Sequence, residues 1–148
     1  MKGNTMMLRS LMLAFALLAG VTGALAEPVA VKMYKNPECG CCEEYAKYLG
    51  QNGFKVTVTP THNMSMISRQ HGVPEKLAGC HTMLIEGYVV EGHVPVGAIN
   101  KLLAERPKIK GISLPGMPEG SPGMTGMKTA PFQILEVTDG PAKVFLVE

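Results

Sequence analysis

VAVKMYKNPECGCCEEYAKYLGQNG, residues 29–53, is the stretch on which the fold turns. Val29 to Tyr34 is a β-rich run, and Asn36-Pro37 stops it. From Cys39 or Gly40 to Asn52 the chain carries Glu43, Glu44, Ala46, Lys47 and Leu49, good helix formers with acids in the early turns, and Asn52-Gly53 closes the helix. Lys55 to Thr59 then alternates with β-branched residues up to Pro60 and reads as a second strand.

Asn63 is placed to cap a short helix reaching His71, with Gly72 as its stop. His81 to Ile85 and Tyr88 to Glu91 read as strands joined by a tight turn at Glu86-Gly87. Val96, Ile99, Leu102 and Leu103 have helical spacing after Pro95. Pro107 to Pro131 is a long Pro/Gly/Met stretch with little period, and Phe132–Val137 with Lys143–Val147 predict a C-terminal β-hairpin. This order predicts an α/β layer sandwich with a mixed sheet, of which the thioredoxin-like arrangement is the best-known form.

Residues 1–26 stand apart. Lys2 and Arg9 precede an apolar run from Leu11 to Leu25, and Ala24-Leu25-Ala26 is a small-residue cleavage site. The run falls short of the roughly 20 residues that cross a bilayer. A cleaved secretory signal is therefore expected, with no stable membrane insertion afterwards and one domain over 27–148. Cleavage removes two of the 14 Lys+Arg and none of the 12 Asp+Glu, which leaves the domain formally neutral. With no Trp and no basic stripe, nucleic acid is not an expected partner. Export places the domain in an oxidising compartment, the periplasm in a Gram-negative cell, where thiols survive as disulfides, metal ligands or a maintained redox pair.

Cys39, Cys41 and Cys42 crowd three of the four thiols into one helix start, and Cys80 is the fourth. A stapled scaffold would spread its cysteines to close several loops. Helix N-terminal N–H groups favour thiolates, and crowded thiolates repel less when they share cations. Soft sulfur selects Cu(I) and also suits zinc and iron–sulfur centres. Adjacent Cys41 and Cys42 fit awkwardly on one tetrahedral zinc, so the spacing favours a small polynuclear Cu(I)–thiolate site over zinc. Dithiol–disulfide exchange by Cys39 and Cys42 and structural disulfides stay open as rivals.

Asn-Pro-x-Cys-Gly-Cys-Cys at 36–42, Cys-His at 80–81, Gly-His-Val-Pro at 92–95 and Leu-Pro-Gly-Met-Pro-x-Gly-Ser-Pro-Gly-Met at 114–124 together resemble the periplasmic CopG-type copper-resistance proteins. The resemblance implies a thioredoxin-like fold, copper held by Cys39, Cys41, Cys42 and Cys80, and a part in copper tolerance with a suggested copper redox role. A thioredoxin-like fold would set the loop before the third strand against the first helix, where a cis-proline normally stands. Gly79-Cys80-His81-Thr82 has a sulfur there instead.

His81 and His93 are candidate imidazole ligands, and Met117 and Met124 candidate thioether ligands, each with a packing or hydrogen-bonding role as the alternative. Met33 and Met83 are expected in the core, Met64 and Met66 in packing, and His62 and His71 in solvent. Three functions follow: copper holding with or without valence change, thiol–disulfide oxidoreduction through Cys39 and Cys42, and copper delivery to an exporter through the methionine loop. Metal ions are the expected partners in all but the second, which needs a redox partner.

Overall fold

The computed structural model describes residues 27–148; the expected signal segment lies outside the described residues. Seven strands form one mixed sheet: β1 Val29–Lys35, β2 Phe54–Pro60, β3 His81–Ile85, β4 Tyr88–Glu91, β5 Gly111–Ser113, β6 Gln133–Val137 and β7 Val144–Val147. Their spatial order is β2-β1-β3-β4-β5-β6-β7. β1 runs parallel to β2, and β4 runs parallel to β5; the other neighbours are antiparallel. Among the described residues three helices accompany the sheet: α1 Gly40–Gln51, α2 Met64–Gln70 and α3 Val96–Glu105. A 3-10 turn follows α2 at Glu75–Leu77.

Strand alternation divides the sheet into two faces. Val31, Met33, Met83, Ile85 and Val90 point into the main core with Tyr45 and Leu49 of α1 and Ala98, Ile99 and Leu102 of α3. Val89, next to Val90, points the other way into a smaller cluster with Val73, Leu77 and Val137. α2 lies on that second face, where its buried Ser68 meets Thr82 of β3. Met33 and Met83 are fully buried, as their strand positions predicted.

One strand departs from expectation. β5 lies inside the segment read as loop, because a three-residue strand is too short to show alternation. Its pairing comes from β4 and β6, not from its own pattern. Glycine is required there, since a Cβ on Gly111 would overlap the carbonyl oxygen of Val89. Asn63 does precede α2, but its side chain makes no cap hydrogen bond. Met66 is exposed, against the expectation of packing.

Gly50 sits in α1 with open space around a would-be Cβ. Gly50→Ala is expected to stabilise the fold by ~0.5–1 kcal/mol through helix propensity, read as a higher urea midpoint at unchanged slope.

Candidate metal centre

Two strand registers bring the site together. β1 pairs antiparallel with β3, Lys35 opposite His81, so the turn leaving β1 lies beside the residues entering β3. β3 pairs with β4, Thr82 opposite Glu91, so Cys80-His81 lies beside Gly92-His93. The approach is close: a Cβ on Gly79 would stand 2.7 Å from the Gly92 nitrogen.

The turn into α1 is closed by Cys39 N–H donating to Asn36 O at 3.0 Å. Cys39 is the N-cap residue in extended conformation, with no side-chain cap bond. The first-turn N–H groups therefore lack a side-chain acceptor on the face that carries sulfur. Lys35, nearly fully buried, donates to the carbonyls of Asn36 (3.1 Å), Pro37 (3.1 Å) and Cys39 (3.3 Å) and pairs with Glu43 at 3.1 Å. A buried ammonium thus fixes the cysteine turn. Glu43 is spent on Lys35, and only Glu44 pairs with Lys47.

All four sulfurs converge. Ligand atoms of Cys39, Cys41, Cys42 and Cys80 lie within 4.8 Å of one another, and a second such group joins Cys42, Cys80, His81 and His93. Cys39 and Cys42 are paired as a disulfide; Cys41 and Cys80 are free. Cys80 Sγ lies 3.4 Å from Cys42 Sγ, 3.4 Å from His81 Nδ1 and 3.2 Å from His93 Nε2.

The imidazoles are oriented for donation. Pro122 O can only accept, so His93 Nδ1 carries the proton of their 2.6 Å hydrogen bond. That leaves the Nε2 lone pair facing Cys80, the arrangement in which a carbonyl fixes the tautomer of a metal-ligating histidine. His81 is fully buried, and its Nε2 has no hydrogen-bond partner among the described residues. Tyr45 packs its ring 4.8 Å from His81 and 5.0 Å from His93 and donates its hydroxyl to Val94 O at 2.6 Å. Cys41, Cys80, His81 and His93, with an orphaned buried nitrogen among them, are soft or borderline donors that fit a soft metal ion, and reduction of the Cys39–Cys42 disulfide would add two more thiolates.

The methionine loop closes one side. Pro122 holds His93, and the backbone of Gly123 lies against Cys41 and Tyr45 of α1. Met124 is half-buried in this loop, and Met117 and Met127 are exposed. His62 is exposed, and His71 is half-buried against Tyr34.

Sequence reasoning missed Lys35, Tyr45, Glu91 and Pro122. Glu91 is buried, accepting from Gly79 N–H at 2.9 Å and from the Thr82 hydroxyl at 2.6 Å, so it anchors the loop that carries Cys80. Its only sequence signal was a carboxylate in an otherwise apolar strand.

The family described as "Protein of unknown function, DUF411" matches residues 77–124, which include Cys80, His81, His93 and the loop to Met124. No curated protein matches the chain. Two solved structures do, "Copper resistance protein copG- Form 2" and "Copper resistance protein copG- Form 1". Each is 42% identical and covers 82% of this chain, with 99% and 98% of its own length matched and TM-scores of 0.76 and 0.75. The chain belongs to the CopG family of copper resistance proteins.

Burial sets the protonation states of this CopG site. It pushes the Cys80 thiol up to about 12, helped by the neighbouring Cys41. It pushes His81 down to about 3, helped by His93, which burial also lowers. Without metal, Cys80 is a thiol and His81 a neutral imidazole at pH 7. Capture of a metal ion by Cys80 must then release a proton.

The lowered histidines carry a stability signature. An unfolded histidine takes up a proton near 6.5, while folded His81 resists protonation down to about 3. The unfolded chain therefore binds more protons in that window, and stability falls as pH falls through it. Metal-free protein is expected to show a lower urea midpoint at pH 4 than at pH 7, and His81→Leu is expected to shrink that difference.

Proposed function

We propose that this CopG protein is exported and holds Cu(I) on Cys39, Cys41, Cys42 and Cys80, with His81 and His93 as nitrogen ligands, in the service of copper tolerance. The observation that carries the reading is the mutual 4.8 Å approach of four sulfur ligand atoms contributed by two distant chain segments. Cys41 and Cys42, adjacent in sequence, favour bridging of more than one Cu(I) over a single tetrahedral zinc. Met117 and Met124 are proposed as auxiliary thioethers in the loop that flanks the site. The strand–helix–strand opening with a cysteine at the residue before β3 supports a thioredoxin-like arrangement.

The test is anaerobic titration of fully reduced protein with Cu(I) against a chromophoric chelator, alongside metal analysis of protein isolated from cell fractions. Binding of more than one Cu(I) per chain, reduced in each of the four Cys→Ser variants, is the expected result. Zinc as the isolated metal, or unchanged stoichiometry in the variants, overturns it. Recovery with the cytoplasmic fraction overturns export.

A second reading has its own observation. Cys39 and Cys42 form a Cys-x-x-Cys disulfide at a helix N-terminus, the placement of a thiol–disulfide oxidoreductase. It requires catalytic reduction of insulin that Cys39→Ser abolishes and Cys80→Ser leaves intact.

A further inference from the structure

The sheet has two edge strands, β2 and β7. β2 carries Lys55 and ends at Pro60, which has no N–H to offer, and both features discourage a further strand. β7 has neither within its span Val-Phe-Leu-Val, Val144–Val147. Val144 and Val147 are 52% and 55% exposed, whereas Phe145 and Leu146 between them pack against the core. Lys143 precedes this run and Glu148 follows it. Exposure is thus symmetric about the middle of the stretch, and charge is opposite at its two ends.

The backbone groups on the open side follow from the pairing with β6. Lys143 O accepts from Glu136 N–H at 2.8 Å. Across a trans peptide the next N–H points the opposite way, so Val144 N–H faces away from the sheet. Glu148 N–H donates to Phe132 O at 3.0 Å, so Val147 C=O faces away as well. In a regular strand residues three apart turn their backbone groups to opposite sides. The register shift beside Leu135 brings these two to the same side. One outward donor and one outward acceptor therefore stand on the two exposed valines.

From these features we infer that β7 is a docking edge for a second copy of this chain, paired antiparallel about the midpoint between Phe145 and Leu146. In that register Val144 lies opposite the partner's Val147, and the N–H of the first reaches the C=O of the second, twice by symmetry. Lys143 lies opposite the partner's Glu148, also twice. Two sheets become one across a two-fold axis, and an isologous contact of this kind closes at two copies. A second copy fits better than a foreign strand, because exposure and charge are self-complementary about the same point. One short strand per copy makes a small interface, so the dimer is expected to exchange with monomer. No cysteine or histidine takes part in the contact.

The experiment is sedimentation velocity on purified protein, in reductant so that no intermolecular disulfide contributes, from about 1 µM to about 1 mM. The weight-average mass is expected to rise with concentration and level off at twice the chain mass. Lys143→Glu and Glu148→Lys each set like charges opposite one another at both ends, and each alone is expected to weaken association by roughly tenfold. An equimolar mixture of the two variants restores opposite charges at both ends and should associate at least as well as the parent. Glu148 also lies beside the first turn of α3, 3.3 Å from a would-be Cβ on Gly97, so a urea midpoint accompanies each variant. If Glu148→Lys loses its fold, amide hydrogen exchange on the parent decides: the Val144 N–H should exchange more slowly in concentrated than in dilute samples. A chain that stays monomeric throughout, variants that associate like the parent, a mixture of folded variants no better than either alone, or Val144 exchange independent of concentration overturns the inference. Growth past two copies without a plateau overturns it too, because that is the signature of an open, heterologous contact.

Discussion

Cys80→Ser is expected to weaken Cu(I) binding by ~100-fold or more, since the loss of a partner that merely orients a ligand already costs roughly 10–100-fold. Cys80 is the one free thiol that belongs to both candidate donor groups, the four-sulfur set and the set with His81 and His93. It touches Cys42, His81 and His93 at 3.2–3.4 Å, so no other side chain replaces it by a rotamer change. Serine keeps the shape within one atom and offers a hard oxygen, which suits Cu(I) poorly. Folding should survive: a urea midpoint within ~1 kcal/mol of the parent would show that the loss lies in the site and not in the scaffold. Competition against a chromophoric Cu(I) chelator measures the affinity. Parental affinity in Cys80→Ser would remove Cys80 from the ligand set and leave the cysteine trio as a local feature of one helix start.

Most of this arrangement could be read from the chain because its signals are local. β1, α1, β2, the β3–β4 hairpin and α3 each carry their own periodicity and stop residues, and each falls within a residue or two of its predicted span. The cysteine cluster was legible because three cysteines in four residues mark one point of the chain. β5 was not legible, since it exists only by virtue of the strands on either side of it. Lys35 reads as an ordinary polar strand end. It is buried because the Asn36–Cys39 turn aims three carbonyls at one point, a fact of tertiary geometry. Pairing of Cys39 with Cys42 was one alternative among several, because spacing permits it without requiring it. The Pro/Gly composition of the methionine loop matched its lack of helix or strand over residues 114–131, past β5. It did not show that Pro122 and Gly123 press the loop onto the site.

That contact yields the second large effect. Gly123 has φ of +80°, and a Cβ there would stand 2.7 Å from the Tyr45 nitrogen, 2.9 Å from the Cys41 carbonyl oxygen and 2.9 Å from the Tyr45 Cα. Cys41 and Tyr45 are positions i and i+4 of α1, so the methyl would press on helical backbone that cannot yield without losing hydrogen bonds. Gly123→Ala is expected to cost ~2–4 kcal/mol in docking of the loop, from a left-handed conformation and a backbone clash together. The loop, being the softer partner, should lift. Pro122 O then leaves His93 Nδ1, the tautomer is no longer held, and Cu(I) affinity should drop by roughly 10–100-fold. Gly116 provides the control: its φ is also +80°, yet nothing lies within 4 Å of its would-be Cβ. Gly116→Ala should therefore show only the conformational cost, ~1 kcal/mol, with near-parental copper affinity. Limited proteolysis between residues 114 and 128, run beside the chelator competition, reports lifting directly. Equal behaviour of the two variants would mean that contact with α1 contributes nothing, and that the histidine is held without help from the loop.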